Sequence, residues 1–157
     1  MSRQWLATLD RIDARTAQAL RLAGPRALRI TMGLVFVWFG AVKFIPGASP
    51  AEDLALQTIA ALSGAAVPEW FARFALAALE TGIGVGFLTG RYLRVAIALL
   101  FVQMAGALAP LVVLPHLMFD VFPIKPTMEG QYVIKNLVLI SAGLTIGGTV
   151  RDGAHRG

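Results

Sequence analysis

The sequence predicts an all-α fold: a polytopic bundle of four transmembrane helices preceded by an amphipathic helix at the membrane interface. Three observations predict it. Of 157 residues, 57% are hydrophobic and 15% charged, far more apolar than a soluble domain of this length. The charges are segregated, crowding between long stretches that carry almost none, and four of those stretches are long enough to cross a hydrocarbon core of ~30 Å at roughly 1.5 Å per residue. Basic residues gather beside alternate span ends. Arg3, Arg11, Arg15, Arg21, Arg26 and Arg29 precede the first span, and Arg91, Arg94, Arg151 and Arg156 flank the second junction and the fourth span. By the positive-inside rule these ends face the cytoplasm, so both termini are inside.

Residues 1–26 form the amphipathic element. Trp5, Leu6, Leu9, Ile12, Thr16, Leu20 and Ala23 repeat close to helical spacing with arginines between them, the pattern of a helix lying on the inner leaflet. A signal peptide is the alternative, with Gly47, Ala48 and Ser49 as the small residues for cleavage. Against it, the apolar run is long for such a segment and contains Lys43.

Residues 27–150 hold the four spans: Ala27–Ile45, Phe71–Gly90, Val95–Leu114 and Tyr132–Val150. In the first outer loop, Ser49 followed by Pro50, Glu52 and Asp53 reads as a helix start. Serine can cap, proline suits the first helical position and the acids favour the positive end of the dipole. Leu54, Thr58, Ile59 and Leu62 extend it as a short helix at the outer surface. After the third span, PHLMFDVFPIKP is apolar, aromatic and punctuated by proline; too short to cross, it is expected to cover the outer end of the bundle. Residues 151–157 are a cytoplasmic tail.

Composition excludes several functions. A net charge of +5 comes from arginines beside apolar spans, with no nucleic-acid motif, so no nucleic-acid partner is expected. The absence of cysteine removes disulfides, redox dithiols, thiolate metal sites and a cysteine nucleophile. The two histidines, His116 and His155, lie outside the spans, which leaves an intramembrane bis-histidine haem without ligands. No metal site is expected. No Walker loop, HExxH or GxSxG occurs, and GIGVG at 82–86 follows no strand, so it is not a dinucleotide fingerprint.

Chemistry then rests on the few polar side chains within the spans, where a central charge costs roughly 2.5–3.5 kcal/mol on insertion scales. Glu80 lies nine residues into the second span, roughly 14 Å from its outer end and close to the midplane. Too short and too deep to snorkel, it must be paired, protonated or hydrated. Gln103 reaches a similar depth on the third span, where it can hydrogen-bond to Glu80 or act as helix–helix glue. Nearer the outer end, Lys43, Arg73 and Lys135 bring a cation from three helices to one level, with Asn136 beside them. Arg73 shares a face with Glu80, and Asn136 shares one with Gly143 and Gly147. Turned inward, these six residues, Lys43, Arg73, Glu80, Gln103, Lys135 and Asn136, form a ligand pocket with a basic mouth and a polar floor, suited to an anion or a quinone-like molecule. Turned outward, the three cations are headgroup anchors. Gly82, Gly86 and Gly90, and again Gly143 and Gly147, are GxxxG steps for close helix approach, within the monomer or in a homo-oligomer.

Three segments, GLVFVWFGAVKF in the first span, LETGIGVGFLTGRYLR through the second and GQYVIKNLVLISAGL leading into the fourth, resemble the DoxX family of small bacterial membrane proteins, over about Arg29 to Gly148. The family pattern falls on Lys43, Glu80, Gly82, Arg91, Gly130, Lys135 and Asn136. The resemblance implies a four-helix bundle in the bacterial inner membrane and an association with redox, since the group takes its name from a subunit of a thiosulfate:quinone oxidoreductase. The expected function is that of a DoxX-like membrane subunit of an oxidoreductase system, surrounded by membrane lipid, binding a small anion or a quinone while a redox-enzyme partner moves the electrons. No covalent cofactor is expected and no catalytic residue is assigned. The alternative is a non-catalytic scaffold or a small-solute permease, with residues 1–25 as docking surface or lipid anchor.

Overall fold

The computed structural model describes residues 3–153, with side chains from Leu9 to Val150. His155 and Arg156 of the expected tail lie outside the described residues, as do the side chains of Arg3, Trp5, Leu6 and Arg151.

Helix α1 runs from Arg3 to Val42 without a break. The expected boundary between a surface helix and the first span is therefore absent: Pro25 removes the backbone donor that would reach Arg21, but the good helix formers after it carry the helix on. At about 1.5 Å per residue α1 is roughly twice as long as a hydrocarbon core is thick. In its N-terminal half, Leu9, Ile12, Leu20 and Leu22 are all exposed. At the other end α1 stops at Val42, three residues before the expected limit. Lys43, Phe44 and Ile45 tighten into turns whose N–H groups donate three residues back, to Gly40, Ala41 and Val42, because Pro46 disfavours a helical conformation in the residue before it.

Helix α2 (Glu52–Ser63) starts later than expected. Ser49 does not cap it: the Ser49 carbonyl accepts the Glu52 N–H at 3.0 Å, and Ala51 is the N-cap with no side-chain bond. Gly64 ends the helix in the left-handed conformation. Helix α3 (Glu69–Thr89) closes on a second left-handed glycine, Gly90, and a tight turn through Arg91 and Tyr92 leads into α4 (Leu93–Leu108). The third span is broken at Ala109 and resumes as α5 (Pro110–Val113), since Pro110 has no N–H to continue the ladder. The segment expected to cover the outer end of the bundle folds as helix α6 (Pro115–Met118) and a hairpin of β1 (Phe119–Val121) with β2 (Lys125–Pro126). Thr127 ties this segment down, its hydroxyl donating to the Leu117 carbonyl at 2.7 Å and its N–H to the Met118 carbonyl at 3.0 Å. Gly130 lies directly against the Met118 backbone, where a side chain has no room. Helix α7 (Met128–Gly153) completes the fold.

The four long helices alternate in direction around a ring: α1 packs on α3, α3 on α4, α4 on α7 and α7 on α1. Antiparallel contact between α1 and α3 runs through Gly33, Gly40 and Gly84; a Cβ on Gly84 would lie 2.5 Å from the Val37 nitrogen. The expected seam through Gly82, Gly86 and Gly90 does not form as such. Gly82 faces open space, and Gly86 meets Ala96 of α4; the α1-facing stripe of α3 is Ala77, Thr81, Gly84 and Leu88, at helical spacing. Gly143 packs inward as expected, against Leu100 and Phe101. The core between the helices is apolar, built on Met32, Phe36, Ile83, Phe87, Leu100 and Ile146.

The outside of the bundle is apolar too. Trp38 is 70% exposed and Leu34, Trp70, Val102, Val138 and Leu144 are similarly uncovered, a surface that soluble monomers rarely present. Four helices are long and apolar enough to span a bilayer. The chain is a multi-pass, all-α membrane bundle.

Candidate functional site

The early end of α1 decides where Lys43 goes. Antiparallel packing sets Gly40 beside Thr81 and Glu80, so Lys43 falls below the first residues of α3, alongside the buried part of that helix. Gly40 permits this. A Cβ there would lie 2.6 Å from both the Thr81 nitrogen and its hydroxyl, and 3.0 Å from the Glu80 Cβ. Lys43 is only 6% exposed, and its Nζ donates to Glu80 Oε2 at 2.6 Å. The other carboxylate oxygen, Oε1, accepts Gln103 Nε2 from α4 at 2.9 Å. Glu80 is thus paired, and Gln103 is its second partner. Lys43 turns inward and does not snorkel.

A second ion-pair cluster lies two turns up α3, toward the end of the bundle that carries α2 and the hairpin. Arg73 Nε donates to Glu52 Oε1, and Arg73 Nη2 donates to Glu69 Oε1 at 2.9 Å. Glu52 is buried, 4% exposed, and its Oε2 also accepts the Gly47 N–H at 3.2 Å. One carboxylate therefore fastens both the 44–51 turn segment and the start of α2 to α3. Read in sequence, Glu52 is a helix-start acid; its role as a buried tether depends on where Arg73 comes to lie.

Between the two clusters is a cavity of about 340 Å³ lined by Lys43, Phe44, Pro46, Trp70, Arg73 and Phe74. Phe44 and Phe74 meet edge to face with centroids 5.7 Å apart, so the wall is largely aromatic, with two cationic side chains reaching it.

Lys135 and Asn136 do not join this site. The Lys135 ammonium lies 4.6 Å from the centre of the Tyr132 ring and is exposed, while Asn136 is half-buried on α7 and makes no side-chain hydrogen bond among the described residues. The reason is helix order. α3 and α7 share α1 and α4 as neighbours and so sit diagonally, which keeps α7's polar side chains from Glu80. Nor is the mouth basic. Lys43 and Arg73 are matched by Glu80, Glu52 and Glu69, two cations against three carboxylates.

Thr81 is a further polar group at the site. Its hydroxyl is buried beside Gly40 without a hydrogen-bond partner among the described residues. Chemically the arrangement donates hydrogen bonds: one of the three Lys43 N–H groups is used by Glu80, and Arg73 uses two of its five donors. Compared with protein-family models, with curated proteins and with solved structures, the chain matches none.

Proposed function

We propose that the chain is a DoxX-like integral membrane subunit of an oxidoreductase system, lying in the bacterial inner membrane with both termini inside, and that it binds a quinone-type ligand while a redox-enzyme partner carries the electrons. The observation that carries this reading is the aromatic cavity at Lys43 and Arg73, whose cations come with their own carboxylates. A small anion entering there meets one more negative charge than positive. A neutral flat ring bearing carbonyl acceptors meets no such repulsion: its face suits Trp70, Phe44 and Phe74, and its oxygens suit the remaining N–H groups of Lys43 and Arg73. The basic ends Arg26, Arg29, Arg91 and Arg94 support the orientation. Gly82, Gly106 and Gly148, which face open space on the spanning helices, leave room for a second copy in a homo-oligomer.

The test is titration of the purified protein in detergent with a short-tailed quinone, read as tryptophan quenching. Saturable quenching that is lost in Trp70→Phe and weakened in Lys43→Met is the expected result. Quenching that is linear in quinone, or unchanged in both variants, overturns the reading.

A second reading is favoured by the N-terminal half of α1, whose Leu9, Ile12, Leu20 and Leu22 have no cover: a non-catalytic scaffold that docks a soluble enzyme there, or a permease. Deletion of residues 1–24 separates them, since it abolishes function in a scaffold and leaves quinone binding intact.

A further inference from the structure

The opposite end of the bundle holds a second cavity, of about 540 Å³, lined by Arg94, Ile97, Gly147 and Val150. It lies between the start of α4 and the end of α7. Arg94 is exposed at its rim, in the first turn of α4, and has no carboxylate partner among the described residues. Ile97 and Gly147 lie one turn deeper on their helices. Gly147 makes the hollow: a Cβ built there meets only Ile97 Cδ1, at 3.9 Å. Cation above and apolar groove below is the division of an amphiphile. Among the described side chains, the charges beside the groove are basic, since Arg91 is exposed next to Arg94 and the Arg29 guanidinium lies over Gly90.

We infer that this groove is a binding site for an anionic phospholipid, with the headgroup phosphate on the Arg94 guanidinium and an acyl chain along Ile97, Gly147 and Val150. A guanidinium fork matches phosphate oxygens two at a time. The apolar floor lies between two membrane-spanning helices, where an acyl chain is the neighbour at hand. A free phosphate shares the headgroup chemistry but has nothing to place on the floor. The inference is independent of the quinone reading, because the two cavities share no residue.

The experiment is native mass spectrometry of the full chain in detergent, titrated with phosphatidylglycerol or with phosphatidylcholine of the same acyl chains. One phosphatidylglycerol is expected to be retained at about tenfold lower concentration than phosphatidylcholine, the preference falling away in Arg94→Gln. Gly147→Leu fills the groove and loses the bound lipid, whereas Gly147→Ala, which has room for its methyl group, stays folded and retains more than Gly147→Leu. If Gly147→Leu fails to fold, Arg94→Gln decides alone. Equal retention of the two lipids, unchanged retention in Arg94→Gln, or displacement of phosphatidylglycerol by millimolar inorganic phosphate overturns the inference. So does a dimer that vanishes with Gly147→Leu while lipid stays bound, which would place a second copy in the groove.

Discussion

Lys43 Nζ and Glu80 Oε2 lie 2.6 Å apart across the α1–α3 interface, 37 residues apart in the chain, with both side chains nearly buried. Burying two charges is unfavourable, and the attraction between them offsets that only when geometry is close and the remaining lone pairs are satisfied. Here Gln103 takes the second carboxylate oxygen. The pair is a poor way to gain stability and a specific way to hold a charged donor at an aromatic cavity.

Removing one partner strands the other. Lys43→Met or Glu80→Leu alone is expected to destabilise the bundle by about 3–5 kcal/mol, while the double variant recovers most of that loss. Denaturant unfolding in mixed micelles measures the cycle. Equal losses in the singles and additivity in the double would show that the pair is not energetically coupled. Under the quinone reading the double variant folds and binds quinone as weakly as Lys43→Met does.

Gly40 and Gly82 make opposite predictions. Gly40→Ala drives a methyl group into the Thr81 backbone and is expected to cost about 1–3 kcal/mol while loosening the Lys43–Glu80 contact. Gly82→Ala has nothing in its way and is expected to be neutral or to stabilise α3 by up to about 1 kcal/mol. Thermal unfolding of the two variants side by side checks the register of α1 on α3.

Glu52→Gln should free the 44–51 turn segment. The buried carboxylate holds Arg73 and the Gly47 N–H at once, and an amide offers one acceptor where the carboxylate offers two. Limited proteolysis in detergent is expected to cut between residues 44 and 51 faster in the variant than in the wild type. Arg73→Lys should show the same acceleration, because lysine cannot reach Glu52 and Glu69 with two fixed donors. Unaltered cleavage in both would mean that the segment is held by other contacts.

Lys135→Ala separates the cations that look alike in sequence. Lys135 is exposed over Tyr132, so its loss is expected to change stability by no more than about 0.5 kcal/mol and to leave quinone quenching unchanged. Loss of quenching in Lys135→Ala would bring α7 into the site.

Much of this was legible from hydropathy and spacing. Four apolar runs about as long as a hydrocarbon core is thick can bury themselves only as membrane helices, and a rise of about 1.5 Å per residue places Glu80 and Gln103 at one depth before any packing is known. Their hydrogen bond follows from that depth and from the short turn between α3 and α4. Three facts were not legible. Lys43 turns in and Lys135 turns out, although both are lysines near a span end. The close seam uses Gly33, Gly40 and Gly84 in place of Gly82. Glu52, written as a helix-start acid, is a buried tether. Spacing along one chain fixes which residues share a face and how deep they lie, but the rotation of each helix about its axis, and which neighbour it meets, come from side-chain volume matched between helices. That matching is non-local: the room for Lys43 beside Glu80 exists because Gly40 has no side chain at the point where Thr81 arrives.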